Sequence, residues 1–422
     1  MTKTEDFTVA AVGQSAVKRD IRSNSEPRFH AVREILQRAD VAFTNLETTI
    51  HGAYGGWPTK AGHIGISQPY VLDALKELGF NALSLANNHA FDLGPNGVLS
   101  TAEEAERRGF LHAGVGRDLT TAAKGSIRQI GGRNVALVAI DAGPAAEYIF
   151  AKDATDKVPA RPGLNYQRVL QAFVVTAEEL DLLRGIKNEL GHEQEVARYR
   201  TLSAKTSQGS FQQVIDVEED ELNFYGMRFK VGSRHERRGI PDKDDLARNL
   251  DAIREARRSS DFVIAYLHHH HWEAKWEQVP DWTRQFAHDC IDAGADMYVS
   301  HGVPLMLGIE IHRNRPIFYS LGNFIFHSFN NANWFHDHIW RSIVATCHFG
   351  QNGRLTGMEI DPIVIGGEAS LAKKDFTTRE VPHLASESYG AEIVSHLATL
   401  SAVFGTKVRV DKGRGFIGFD GG

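Results

Sequence analysis

Four consecutive histidines, His268 to His271, follow the apolar run Phe262 to Leu267. Such a run reads as a buried strand, so the imidazoles sit where a strand gives way to a loop. Imidazole is the commonest protein ligand for zinc-like metals, and in an open α/β sheet the rim at the strand ends is where ligands bind. An affinity tag would lie at a terminus, whereas this run is internal. On an extended chain alternate side chains point to opposite sides. His268 and His270 therefore share one direction, and we take those two as the pair aimed at a site.

Other polar residues recur at the same structural position, just after an apolar segment: Gln14, Asn45 with Glu47, Asn88 with His89 and Asp92, His301, and Asn323. Each alone has an ordinary reading. Glu47 can be a surface or helix-cap carboxylate, Asn88 a turn residue, His89 a structural histidine, and Asp92 either a turn residue or the partner that orients His89. Taken together at successive strand ends they describe how an α/β protein assembles a site from distant sequence. A second His-rich stretch places His327, His336 and His338 beside Trp334, Phe335 and Trp340; with the Trp272 and Trp276 pair it reads equally as the wall of an organic pocket or as a packed loop. The site motifs have no Lys/Arg cluster beside them. Arg234, Arg237 and Arg238, farther along, are the main exception and suit an anionic group.

These residues need elements to position them. Thr8–Val12, Val41–Thr44, Asn81–Leu85 and Val135–Ile140 read as strands; Phe29–Ala39, Pro69–Leu78 and Pro95–Arg108 read as helices between them, the second with Ser67 as a cap and Gly79 as its stop. That rhythm predicts βαβ units and a mostly parallel sheet. It breaks over about 142–245, where a capping box at Thr176–Glu179 opens one helix among long polar stretches. We read that region as an insertion or lid on one rim. Regularity returns with helix Leu246–Arg258, strand Phe262–Leu267, helix Asp281–Ala293, and strands Met297–Ser300 and Ile317–Ser320. A hairpin follows, Ile343–Phe349 and Leu355–Ile360 turning at Gln351 to Gly353, then a helix over Glu387–Ser401. The main domain is set at 1–365 and a C-terminal extension packed on it at 366–422.

Composition narrows the classes. A chain of 422 residues with 42% hydrophobic and 24% charged residues is ordinary for a globular protein with a large core. A net charge of −6 and no long basic stripe argue against nucleic acid as partner. Cys290 and Cys347 cannot build a disulfide framework and read as buried free thiols, which suits a reducing compartment. The polar start carries no apolar core of signal-peptide length, and nowhere do about eighteen apolar residues run together. The expectation is a cytoplasmic protein without a membrane anchor.

Asn45-Leu-Glu47, Ala86-Asn-Asn-His89 with Asp92 and Gly94, Asp292 to Asp296, and Pro316 to Phe324 resemble the signatures of the CapA-type poly-gamma-glutamate biosynthesis family. That family is similar to the calcineurin-like metallophosphoesterases. The likeness runs from about Phe7 to Phe326. It implies an α/β fold, a four-layer αββα metallophosphoesterase-like sandwich, whose strand-end loops hold a metal centre, usually of two ions. Two departures stand out. The family's Gly-Asp after the first strand is Gly13-Gln14 here, and its Gly-His-His-Pro-His stretch reads Ser300-His-Gly-Val-Pro304. In the scheme the resemblance implies, the missing aspartate and the last histidine serve one ion. The other ion would use Glu47, Asn88 and His268, with a histidine at the position of Gly302, for which His301 would stand in.

The expectation is thus a centre with one divalent ion per chain, zinc or manganese, held by Glu47, Asn88, His268, His270 and His301. His89, held by Asp92, would be the general acid, as in the related phosphoesterases, with Asn45 as a further catalytic contact. A depleted centre points to a metal-dependent hydrolase of a small organic ester, amide or other carbon-centred bond. A phosphoesterase, a non-catalytic accessory protein of polyglutamate synthesis and a metal-dependent lyase are the alternatives. The partner expected is a small-molecule substrate, with neither nucleic acid nor membrane; self-association into a homo-oligomer stays open.

Overall fold

The computed structural model describes residues 6–62, 64–192, 194, 197–198, 220–327, 337–351, 353–372 and 381–418. The chain divides into two compact units, Met1–Gln167 with Lys243–Val279 and Thr283–Gly422, and Arg168–Asp242 with Pro280–Trp282.

The larger unit is built on two sheets. In the first, Phe7–Val12, Val41–Asn45, Ala82–Ser84 and Leu111–Ala113 run parallel in that order. Phe7–Val12 is also flanked by the antiparallel strand Arg341–Phe349, which forms the long hairpin with Leu355–Ile365. The chain beyond 365 is woven into this sheet: Pro382–Leu384 and Arg414–Gly418 both pair with Leu355–Ile365, and Arg409–Asp411 closes the edge. In the second sheet, Arg133–Asp141, Phe262–His268, Met297–His301 and Arg315–Phe318 are parallel neighbours, with antiparallel strands Ser126–Ile130 and Ile309–His312 at the edges. The mostly parallel sheet expected from the strand–helix rhythm is therefore two mixed sheets, each with a parallel centre. Hairpin partners add the antiparallel strands, and they carry no βαβ signal to announce them.

The sheets lie face to face. Phe7 meets Phe262 at 5.3 Å between ring centroids, Phe262 meets Phe349 at 4.7 Å, and Phe43 meets Tyr266 at 5.5 Å. These near-continuous apolar strands are what a sheet covered on both faces requires. Each large side chain buried there stabilises the fold by about 1.5–3 kcal/mol. Helices cover the outer faces. Pro27–Arg38 and Glu387–Ala402 lie on the first sheet, and Lys243–Ser259 and Asp281–Asp292 on the second, where Phe286 meets Tyr298. The result is an αββα sandwich. The helix after Pro69, Tyr70–Leu78, ends at left-handed Gly79, but Ser67 does not cap it: its hydroxyl donates to the Val17 carbonyl instead. Cys290 and Cys347 are free and buried. Among the described residues no helix is long and apolar enough to cross a membrane.

The smaller unit has its own four-stranded sheet. Val169–Val175 lies between parallel Met227–Val231 and antiparallel Glu236–Pro241, with Glu221–Phe224 outside. Helix Ala177–Glu189 opens with the Thr176–Glu179 capping box. Arg234 and Arg238, read from sequence as anion receivers, both pair with Glu236.

Candidate metal centre

The parallel register sets the site. Asp141, His268 and His301 stand level on three adjacent strand ends of the second sheet. Asn45 and Ser84 stand level on the first, and the loops after them carry Glu47 and Asn87 to Asp92. Glu47, His268 and His270 converge, with one ligand atom from each within 4.8 Å of the others. His268 Nε2 lies 3.0 Å from Asn88 Oδ1, 3.1 Å from His270 Nε2 and 3.9 Å from Glu47 Oε1. Metal–ligand bonds of about 2.0–2.1 Å in tetrahedral array would separate ligand atoms by about 3.3 Å. Two imidazoles, an amide oxygen and a carboxylate at such spacings suit a divalent borderline cation.

Burial prepares these groups. It holds His268 well below the usual imidazole range, with the positive potential of His270 and His301 adding to it, so the ring stays neutral and its lone pair available. His270 falls to about 4 for the same reason, with His89 adding to it. Glu47 is pushed up to about 7 by burial, against the pull of His89, Lys60 and Lys18. A buried carboxylate costs free energy to ionise unless a cation faces it. The alternation along the His run holds: His269 and His271 stack on each other at 6.4 Å, and His271 Nε2 donates to the Ala142 carbonyl.

His89 lies beside this cluster. Its Nδ1 bonds Asp92 Oδ2 at 2.7 Å, which leaves Nε2 for proton exchange. Asp92 is fully buried and also pairs with Lys60 Nζ at 2.7 Å and accepts from the Gly65 amide at 2.6 Å. Burial would raise its carboxyl, but the His89 hydrogen bond and the His89 and Lys60 charges hold it below the usual range. Gly65 is required here, since a Cβ would stand 2.9 Å from the His89 ring.

The other predicted residues lie behind or beside the cluster. Asn45 is fully buried and its Oδ1 accepts from Asn87 Nδ2 at 3.1 Å; Asn87 in turn donates to the Leu46 carbonyl and accepts from the His89 amide. Asn45 thus acts on the loop that carries His89. His301 is outside the Glu47–His268–His270 group. It is buried between the sheets, with Nδ1 3.3 Å from Tyr266 Oη, and burial pushes it down to about 3. Gln14 Nε2 donates to Asn323 Oδ1 at 3.1 Å. His327 Nδ1 accepts from the Lys18 amide. Gly302 has φ +123°, and a Cβ on it would overlap the His269 carbonyl oxygen, so this backbone accepts no side chain there. Trp334, Phe335 and His336 fall outside the described residues.

A cleft of about 140 Å³ opens onto the cluster, lined among others by Glu47, Asn88, His89, His270, Lys18 and the rings of Trp272 and Phe326. Sequence reasoning passed over three groups here. Lys18 lines the cleft and Lys60 stands beside it on Asp92, both from loops, where a single lysine carries no motif; burial lowers Lys18 against the opposing charges of Asp92 and Glu47. Asp141, whose carboxyl burial pushes up to about 7, directly follows an apolar strand, the same signal that singled out His268.

Two layers of sheet gather at their strand edges a carboxylate, an amide and paired imidazoles, the way an α/β fold assembles a candidate site from separate loops. Residues 8–328 match the family described as bacterial capsule synthesis protein PGA_cap, and the chain belongs to that family. It is similar to "Uncharacterized protein y4sH" of Sinorhizobium fredii, at 30% identity over 98% of this chain and 93% of that one. It is also similar to "PGA biosynthesis protein CapA" of Bacillus subtilis, at 35% identity over 28% of each chain. Among solved structures, a 5'-nucleotidase precursor of Thermus thermophilus aligns at 9% identity and a TM-score of 0.38, over 93% of this chain and 58% of that one.

Proposed function

We propose that this chain is a metal-dependent hydrolase, with one divalent cation held by Glu47, Asn88, His268 and His270. The observation that carries this reading is the convergence of those four ligating groups, three of which, Glu47, Asn88 and His270, line one cleft. A cation bound there would supply Lewis acidity and a water of lowered pKa.

The chain's own residues do the rest. His268 and His270 stay neutral through burial and keep their lone pairs. His89, its tautomer fixed by Asp92, delivers a proton from Nε2 to the leaving group. Lys60 holds Asp92 and the Asn88 carbonyl together, and Asn45 positions the same loop through Asn87. Trp272 and Phe326 give the cleft an apolar wall for an organic substrate. Lys18 in the cleft, with the Lys60 charge behind it on Asp92, changes one expectation: the cleft suits a substrate that carries an anionic group near the bond cleaved.

The test is uptake and turnover together. Metal-stripped protein reloaded with zinc or manganese should cleave an ester, amide or phosphoester from a chromogenic panel. It should hold an ion that His268→Ala loses and His271→Ala keeps. An ion count indifferent to His268→Ala sinks the reading. A second reading, an accessory role in polymer synthesis, draws on the name of one relative, "Probable polyglutamine synthesis accessory protein MT0602" of Mycobacterium tuberculosis, 24% identical over 68% of this chain. Ion uptake at His268 without turnover of any panel member would favour it.

A further inference from the structure

Away from the cleft-lining residues, Glu277, His338 and His396 bring one ligand atom each within 4.8 Å of one another. They arrive from three separate parts of the larger unit: the chain beyond the histidine run, the short 3-10 turn Asp337–Trp340, and the helix Glu387–Ala402. Glu277 Oε1 lies 3.5 Å from His338 Nδ1 and 3.0 Å from His396 Nε2. The imidazole rings are 4.8 Å apart between centroids at an interplanar angle of 56°. Those two oxygen–nitrogen distances bracket the about 3.3 Å edge of a tetrahedron with metal–ligand bonds of about 2.0–2.1 Å. Tilted rings let both nitrogens turn toward a common point, which parallel stacked rings would not.

We propose that Glu277, His338 and His396 form a second cation site, of the zinc class. Two imidazoles and one carboxylate are a zinc donor set, whereas calcium and magnesium take oxygen donors. All three side chains are half-buried. The site ties the turn Asp337–Trp340 to the long helix on the outer face of the first sheet. That turn carries the Ile339 carbonyl, which accepts from Asn323 Nδ2 at 3.2 Å, and Asn323 in turn receives Gln14 in the cleft. A cation here braces one wall of the cleft without entering it.

The alternative is an ordinary carboxylate paired with two imidazolium groups, and zinc separates the two. The experiment uses the full chain carrying Glu47→Gln and His268→Ala, stripped of metal and titrated calorimetrically with zinc alone. One zinc ion per chain is expected, with a raised unfolding temperature. Adding His396→Gln or, separately, His338→Gln should weaken that uptake by about 100-fold or more, because each removes one of three protein donors. Circular dichroism of each metal-free variant identifies any that fails to fold, and the remaining variant then carries the result. No zinc uptake, or uptake that survives both histidine changes in folded protein, overturns the proposal. Loss of the first centre alone leaves it standing, since the titration is made in chains that already lack that centre.

Discussion

The two His–carboxylate clusters of this chain are built from the same side chains in opposite ways. Around Glu47, His268 and His270 the donors hang from the ends of parallel strands and their first loops, and the sheet register fixes them before any ligand arrives. Around Glu277, His338 and His396 the donors come from a loop, a single 3-10 turn and an outer helix, half-buried. Burial makes the first cluster electrostatically expensive: its histidines are held neutral and its glutamate is pushed up to about 7. The outer cluster remains in reach of water, which screens its charges. A site costly to leave without a counter-charge is suited to chemistry, and one that costs little is suited to bracing.

The contrast can be broken most sharply at the inner cluster. His268→Ala should remove the inner ion and take turnover to background, as metal analysis and a rate assay on the same sample would show; retention of both would erase the distinction. His89→Gln should leave the ion in place while kcat falls by about 10²–10⁴-fold, the range for a lost general acid. Unchanged kcat would remove His89 from the chemistry. Lys60→Met should weaken kcat/KM for anionic substrates by about tenfold, or about 1.4 kcal/mol, and spare neutral ones. An equal loss on both would mean that Lys60 only supports the Asp92–His89 pair.

A smaller effect sharpens the electrostatic half of the contrast. Glu47 titrates near 4.5 when unfolded and at about 7 when folded, so between those values the folded chain keeps a proton that the unfolded chain gives up. In metal-free protein, the stability of the parent relative to Glu47→Gln should therefore fall as pH rises through that window and level off above it. The total change is about 3 kcal/mol. Urea unfolding of both proteins at several pH values measures it, and parallel curves would deny the burial argument. The outer pair should show the least: with zinc present, His396→Gln should lower the unfolding temperature by about 1 °C for each kcal/mol of lost binding in a chain of this length.

What was legible in the sequence follows from the same contrast. Apolar runs such as Phe262 to Leu267 and Asn81 to Leu85 announce strands, and whatever polar residue follows one is a candidate for the rim. That logic reached Glu47, Asn88, His89 and His268 together. Period-two alternation separated His268 and His270 from His269 and His271. It failed where no strand end supplies the cue. Lys18 comes to the cleft and Lys60 to Asp92 through loop geometry, and Glu277 meets His396 across a separation of more than a hundred residues. Asp141 has the cue, an apolar strand directly before it, but a lone carboxylate without a neighbouring motif is a weak signal. Asn45 looks from its place after a strand like a contact in the chemistry, while the fold turns it inward to hold Asn87. The antiparallel members of both sheets were hidden because strands that pair through hairpins or late returns leave no alternating helix between them.

The backbone at Gly302 limits what can be engineered at this rim. With its dihedral at +123° and the His269 oxygen occupying the space of any side chain, a histidine cannot be introduced there without moving the neighbouring strand end. A designer seeking to add an imidazole here, as one more donor beside Glu47, Asn88 and His268, would have to remodel the turn around Gly302 first.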